Sequence, residues 1–332
     1  MAMWRREPEP IENQVDILDL RHFSSSDLRA LMEEETRLWS QSLHWDYRSS
    51  ADMILRYLDA KILPGYAAVQ DGRVFGYSFF VYEGAKGVVG DLFASVPPRE
   101  TPGWSLKEVE ERLLKHVIDT LQQSPGVQRI EAQLLPHDTG TVSRPFLKEG
   151  FGRFPRIFMV LPLQPRTRAV YPGLPADVEL RRWSEQDYQP VASLITAAYR
   201  NHVDSEINDQ YRSMTGALRF LNNIVRFPGC GQFDPGASFV AVSRTTNSII
   251  GTILCSRVKD DVGHVTQVCL LPEERGRGIG EVLLNATANE LSRRHFSKLT
   301  LTVTQANEGA VRLYKRLGYA VNRIFDAFVW EK

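Results

Sequence analysis

The segment VCLLPEERGRGIGEVLL, residues 268–284, sets Gly276, Gly278 and Gly280 on alternate positions between an apolar run and an amphipathic one. Ahead of the turn, VTQVCLL reads as a strand. Behind it, Leu284, Ala288 and Leu291 recur at helical spacing, so the order is strand, glycine turn, helix. A helix start carries unpaired N–H groups and partial positive charge, which suits a phosphate or pyrophosphate. Glycine lets the preceding turn take positive φ and lets ligand oxygens approach the main chain.

Two familiar phosphate loops do not fit. The last glycine is followed by Glu281 rather than by Lys and Ser or Thr, which excludes a nucleoside triphosphate loop. The glycines form GxGxG rather than GxGxxG, and no acid ends the following strand, KLTLTVT, to hold a ribose.

The same order of elements occurs twice. VDILDLRHFSSSDL (15–28) and DVELRRWSEQDY (177–188) each give a short strand, Leu-Arg, an aromatic and an Asp at a helix start. Strand–turn–strand patterns follow at 65–80 and 238–256, with Gly76 and Gly251 early in the second strand. Each copy closes on a short helix ending FLKEGF (146–151) or YKRLGY (314–319), and then RIF, at Arg156 and again at Arg323. The chain reads as an internal duplication of one α+β unit: a domain over 1–161, a proline-rich linker over 162–177, and a second domain over 178–332.

The copies differ at the turn. SVPPRETPGWSLKEVEERLL, residues 95–114, has Pro97, Pro98 and Pro102, which lack backbone N–H donors. Ser105 and Glu108 have capping-box spacing, so this helix start is satisfied internally. An anionic ligand is expected in the second half.

Composition limits the rest. Forty Lys and Arg balance forty Asp and Glu over 332 residues, which gives no footprint for nucleic acid or an anionic membrane. No apolar run is long enough to span a bilayer, and MAMWRREPEPIENQ lacks the apolar centre of a secretory signal. Cys230, Cys255 and Cys269 have no metal-ligand spacing, so no metal site is expected and a cytoplasmic setting is.

The run from Leu271 and Pro272 through Arg275 to Gly280 resembles the acetyl-CoA signature of the GNAT N-acetyltransferase superfamily. Asn307 after the next strand, Tyr314 seven residues later and the KRLGY ending extend the resemblance over the second half and, more faintly, the first. It implies two tandem GNAT-like domains, each a mixed, mostly antiparallel sheet flanked by helices, the first a degenerate copy. It implies acetyl-CoA as co-substrate. Val268, Cys269 and Leu270 would offer main-chain groups to the pantetheine arm. The amides of Gly276, Arg277, Gly278, Ile279, Gly280 and Glu281 would hold the pyrophosphate, with Arg275 and Arg277 near it and Asn307 reaching the arm or simply capping its helix.

In that family the position of Tyr314 supplies the general acid to the leaving thiolate; the first copy has Phe146 there. Counting back from the turn puts His264 where some members carry a basic Glu, and Glu274, Asp326 or a water chain are alternatives for the base. Residues from Tyr199 onward, with His202, Asp204, Glu206 and Asp209, either face an ammonium-bearing acceptor or form a solvated surface. The expected function is acetyl transfer to a primary amine of a small molecule, by a monomer or homodimer. The alternatives are a protein or peptide amine as acceptor, or a non-catalytic acyl-CoA sensor.

Overall fold

The computed structural model describes residues 15–98, 104–163, 173–227 and 231–332. The leader over 1–14, Pro102, Cys230 and most of the expected linker lie outside the described residues.

The first half runs β1 (Asp16–Asp19), α1 (Ser25–Ser42), α2 (Arg48–Asp59), β2 (Gly65–Gln70), β3 (Arg73–Glu83), β4 (Lys86–Ala94), α3 (Leu106–Gln123), β5 (Arg129–Gln133), α4 (Ser143–Lys148) and β6 (Gly152–Pro162). The second repeats that order as β7 (Val178–Arg182), α5 (Tyr188–Ala198), α6 (Val203–Ile207), α7 (Met214–Arg226), β8 (Gln232–Phe233), β9 (Phe239–Ser243), β10 (Ile249–Lys259), β11 (Val262–Leu270), α8 (Ile279–Arg293), β12 (Lys298–Thr304), α9 (Glu308–Arg316) and β13 (Ala320–Glu331). Two insertions, α6 and the short β8, distinguish the second copy.

Local sequence explains the helices that frame the site. α3 buries Val109, Leu113, Val117 and Leu121 along one stripe, and Ser105 with Glu108 closes its start as a reciprocal capping box. α8 buries Ile279, Leu283, Leu284, Ala288 and Leu291 in the same way. Its N-cap is Gly278, with no side-chain cap.

Among the described residues the strands join one 13-stranded sheet in the order β1-β2-β3-β4-β5-β13-β6-β12-β11-β10-β9-β7, with β8 beside β10. Only β4–β5 and β11–β12 are parallel pairs among the described residues. The expected division of the chain follows its order, whereas the hydrogen bonding exchanges the final strands. β6 lies between β12 and β13, pairing Arg156 with Thr304 and Pro162 with Lys298, while β13 runs between β6 and β5. Phe158, Met159, Phe325 and Phe328 are fully buried, so these strands need cover on both faces and neighbours on both edges.

The two parallel pairs separate part-way. β11 and β12 pair only from Val262–Lys298 to Val265–Leu301, leaving residues 266–270 to diverge from the end of β12. α8 packs on one face of this opening, through Val265, Leu299, Leu301 and Val303. α5 and α7 cover the other, with Leu254 and Cys269.

A buried ionic network ties α6 and the turn after it to the first half. Lys86 Nζ lies 3.1 Å from Glu131 and 2.7 Å from Asp209, and Arg129 Nε lies 2.6 Å from Glu131. Arg129 also donates to the Glu206 carbonyl and pairs with Glu331, which holds Arg212 at 2.8 Å. Each carboxylate has a facing cation, so the burial of Lys86 and Arg129 leaves no charge alone.

Candidate functional site

The divergence of β11 from β12 opens a cleft of about 630 Å³ between the two faces of the sheet. One end is the glycine turn. Gly276 and Gly278 adopt φ of +80° and +81°, which side-chain-bearing residues rarely take. Gly280 does not need such a φ: it sits in the first turn of α8, and a Cβ there would meet Leu270 at an ordinary 3.6 Å. With no side-chain cap, the amides that open α8 have no partner within the helix.

Of the residues expected to hold a cofactor, Val268, Cys269, Leu270, Arg275, Gly276, Gly278, Gly280, Glu281 and Asn307 all line this cleft. Two side chains do not. Arg277 turns outward to pair with Asp177 at 2.6 Å and with Glu274, because acids of the turn and of the preceding domain boundary outcompete the cleft for its charge. Ile279 points its side chain into the core, fully buried against the sheet. Arg275 instead donates to the Ala198 carbonyl at 2.7 Å, tying the turn to the end of α5.

Tyr314 lines the middle of the cleft, 6% exposed. Burial, reinforced by the charge of Asp204, raises its phenol above the usual range, so it stays protonated at neutral pH. Cys269 beside it is an inert thiol, pushed up to about 12 by burial. Asn307 caps α9 through the Ala310 amide at 3.3 Å and lines the cleft.

His264 is set back from the cleft. It stands on β11 as counted but is not among the cleft-lining residues. Trp45, from the first half, and Phe158, on the exchanged strand, flank its ring at 5.0 and 6.0 Å between centroids, and Nδ1 lies 2.8 Å from Thr300 Oγ1. Burial, then the nearby Arg156 charge, lowers its pKa to about 3, so the ring is held neutral. Asp326 is also spent: it accepts from Thr139, Gly140 and Ser143, and pairs with Arg153 at 3.1 Å. Glu274 is bound to Arg277.

His202 and Asp204 line the cleft, with His202 Nδ1 3.5 Å from an Asp204 oxygen. Thr304 donates to Asp204, and Asn307 lies 3.4 Å from His202 Nε2. Asp209 is engaged by Lys86, and Glu206 faces a second cavity of about 560 Å³. Tyr199, His202 and Tyr211 line both cavities. Sequence reading missed Tyr211 and Arg156. Tyr211 fell inside the stretch from Tyr199 onward without being singled out, and Arg156 was visible only as part of the repeated RIF.

The first half shows what filling the same opening looks like. Trp39 stacks on Tyr47 at 4.6 Å, matching Tyr199 on Tyr211 at 4.4 Å. Asp91 occupies the strand position of Gln267 and accepts from Tyr47, as Gln267 accepts from Tyr199. Glu35 enters from α1, bound by Tyr77 at 2.6 Å and in hydrogen-bond contact with Asp91. Burial raises both carboxyls, and the Asp91 charge raises Glu35 further. Phe146, at the place of Tyr314, stacks on Phe328 at 4.1 Å.

Among the described residues, no cluster of three or more His, Cys, Asp or Glu could hold a metal, and no helix is long and apolar enough to cross a membrane.

Residues 201–319 match the model of the acetyltransferase (GNAT) family. The chain is 29% identical over 227 residues to a mycothiol acetyltransferase of Thermobispora bispora, a match covering 66% of this chain and 70% of that one. Mycothiol acetyltransferases of Mycobacterium and Thermobifida fusca are matched over 29–33% of their length. In fold the chain is similar to a GCN5-related N-acetyltransferase from Sphaerobacter thermophilus, with TM-score 0.66 and 18% identity over 96% of this chain and 95% of that one. It is similar too to a tandem GNAT protein from the clavulanic acid biosynthesis pathway, with TM-score 0.59 and 14% identity over 96% and 98% of the two chains. The uncapped glycine turn, the diverging strands and these likenesses agree: residues 201–319 match the GNAT acetyltransferase family, and the chain as a whole has the fold of tandem GNAT proteins.

Proposed function

We propose that the second half binds acetyl-CoA and transfers its acetyl group to the primary amine of a small molecule, while the first half completes the acceptor side of the cleft. The observation that carries this reading is one continuous cleft containing an uncapped, positive-φ helix start, an unpaired strand edge and a buried phenol. The amides opening α8 would hold the pyrophosphate, and residues 268–270 the pantetheine arm as an added strand. The amine nitrogen attacks the thioester carbonyl, the C–S bond breaks, and the Tyr314 phenol protonates the departing sulfur. The amine's proton passes to the His202–Asp204 pair, directly or through water. Likeness to chains named mycothiol acetyltransferase supports a small acceptor, while an N-alpha-acetyltransferase of Schizosaccharomyces pombe is matched over 58% of its length at 30% identity.

Titration of the protein with acetyl-CoA tests the phosphate cradle. Gly278→Glu puts a side chain where φ is +81° and a negative charge where the pyrophosphate would lie. The expected result is a Kd weakened by at least about ten-fold. Ser105→Ala, at the capped start of α3, serves as the control: about 1 kcal/mol of stability lost and no change in affinity. An unchanged Kd in Gly278→Glu would remove the cradle and, with it, this reading.

A further inference from the structure

The exchanged strand brings into the cleft a cation that forms no ion pair among the described residues. Arg156 lies within β6, in the first half of the sequence, and lines the second half's cleft. Its Nη1 donates to the Gln133 side chain at 2.8 Å, while its Nε is buried with no hydrogen-bond partner. It makes no ion pair among the described residues. A buried donor without a partner is costly and calls for an explanation.

The duplication provides an internal control. Arg323 holds the same place in the second RIF and faces the first half, where its Nε lies 3.1 Å from Asp138 and its Nη1 donates to the Leu135 and Pro136 carbonyls. The closed cleft therefore satisfies its arginine from the chain. The open cleft leaves its arginine with a neutral amide.

Strand register fixes which side Arg156 serves. It pairs with Thr304, and residues directly opposite each other in a ladder project to the same face. Thr304 bonds Asp204 of α6, so Arg156 lies on the α6 face, whereas the glycine turn opens α8 on the other. A pyrophosphate held at α8 is thus across the sheet from this guanidinium.

We propose that Arg156 recognises an anionic group, carboxylate or phosphate, on the acceptor itself, so that the acceptor is an amine bearing a negative charge. This rests on the acetyl-transfer reading above. The acceptor's ammonium would meet His202 and Asp204 before deprotonation, and its anion the free edge of Arg156. Guanidinium suits either oxyanion through two parallel N–H donors.

The test uses the full chain with acetyl-CoA and three sets of amines: n-alkylamines, ω-amino acids from glycine to 5-aminopentanoate, and O-phosphoethanolamine. Wild type is expected to prefer an anionic amine, and comparison of the last two sets tells carboxylate from phosphate. Arg156→Gln should lower kcat/KM for the preferred anionic amine by roughly 10–100-fold, mainly through KM. Its kcat/KM for the matching alkylamine and its acetyl-CoA Kd should change by less than about threefold, with Arg156→Lys in between. Equal losses on charged and uncharged amines, or a wild type indifferent to the anion, would overturn the proposal. If no amine releases CoA, the transfer reading fails on its own. Calorimetry of the same anionic amines against the CoA-loaded protein then decides for Arg156: binding lost in Arg156→Gln upholds it, and no binding overturns it.

Discussion

Tyr314→Phe is expected to lower kcat for acetyl transfer by roughly 10²–10³-fold, with the acetyl-CoA Kd held within about twofold. The change removes one oxygen from a ring that is 6% exposed, and the structure already shows phenylalanine tolerated at the equivalent place, where Phe146 stacks on Phe328. Folding should therefore be preserved, and any loss of turnover is chemical. The departing thiolate needs a proton from a group that is still protonated at working pH and excluded from bulk water. Burial and the neighbouring Asp204 charge hold the Tyr314 phenol above its ordinary value, so wild-type kcat should show no alkaline limb below about pH 10. Stopped-flow release of CoA at saturating acetyl-CoA is the measurement. A variant within about threefold of wild type would show that water supplies the proton.

The turn and the duplication were legible because both are local. Glycine spacing, the Ser105 box against the uncapped Gly278, and the paired RIF endings each sit within a few residues of sequence. The exchange of β6 and β13 was not, because both strands are apolar on both faces and either sheet edge would accept them. Only long-range register decides, and that register puts Arg156 beside β12. Arg275 and Arg277 looked equivalent at a spacing of two. Their separation depends on Asp177, a hundred residues away, and on the Ala198 carbonyl. Glu35 stands in a run of three glutamates that reads as a solvated helix face, yet it is fully buried against Asp91. Tertiary burial overrode the local pattern in each of these cases.

His264 is the residue whose reading changed most, and its environment implies a measurable loss of stability in acid. The folded pKa is depressed from 6.5 to about 3, so between those values the unfolded chain binds a proton that the native chain refuses. Stability is therefore fully present above the unfolded value and falls as pH drops toward the folded one. One proton of difference costs about 1.4 kcal/mol per pH unit, so the loss from this ring alone reaches about 3 kcal/mol near pH 4. His264→Gln keeps a polar partner for Thr300, whose hydroxyl also reaches the Gly263 carbonyl, and removes the titration. Denaturant unfolding of both proteins from about pH 7 to about pH 4 should give curves that converge in acid, the wild type losing stability more steeply by one proton. Parallel curves would mean the ring is not sealed by Trp45 and Phe158. Because the ring is absent from the cleft lining, the variant should also retain acetyl transfer, with any acidic limb in kcat/KM unchanged. Loss of that limb would return the base to His264 and take it from the His202–Asp204 pair, so one variant decides both the stability argument and the proton's destination.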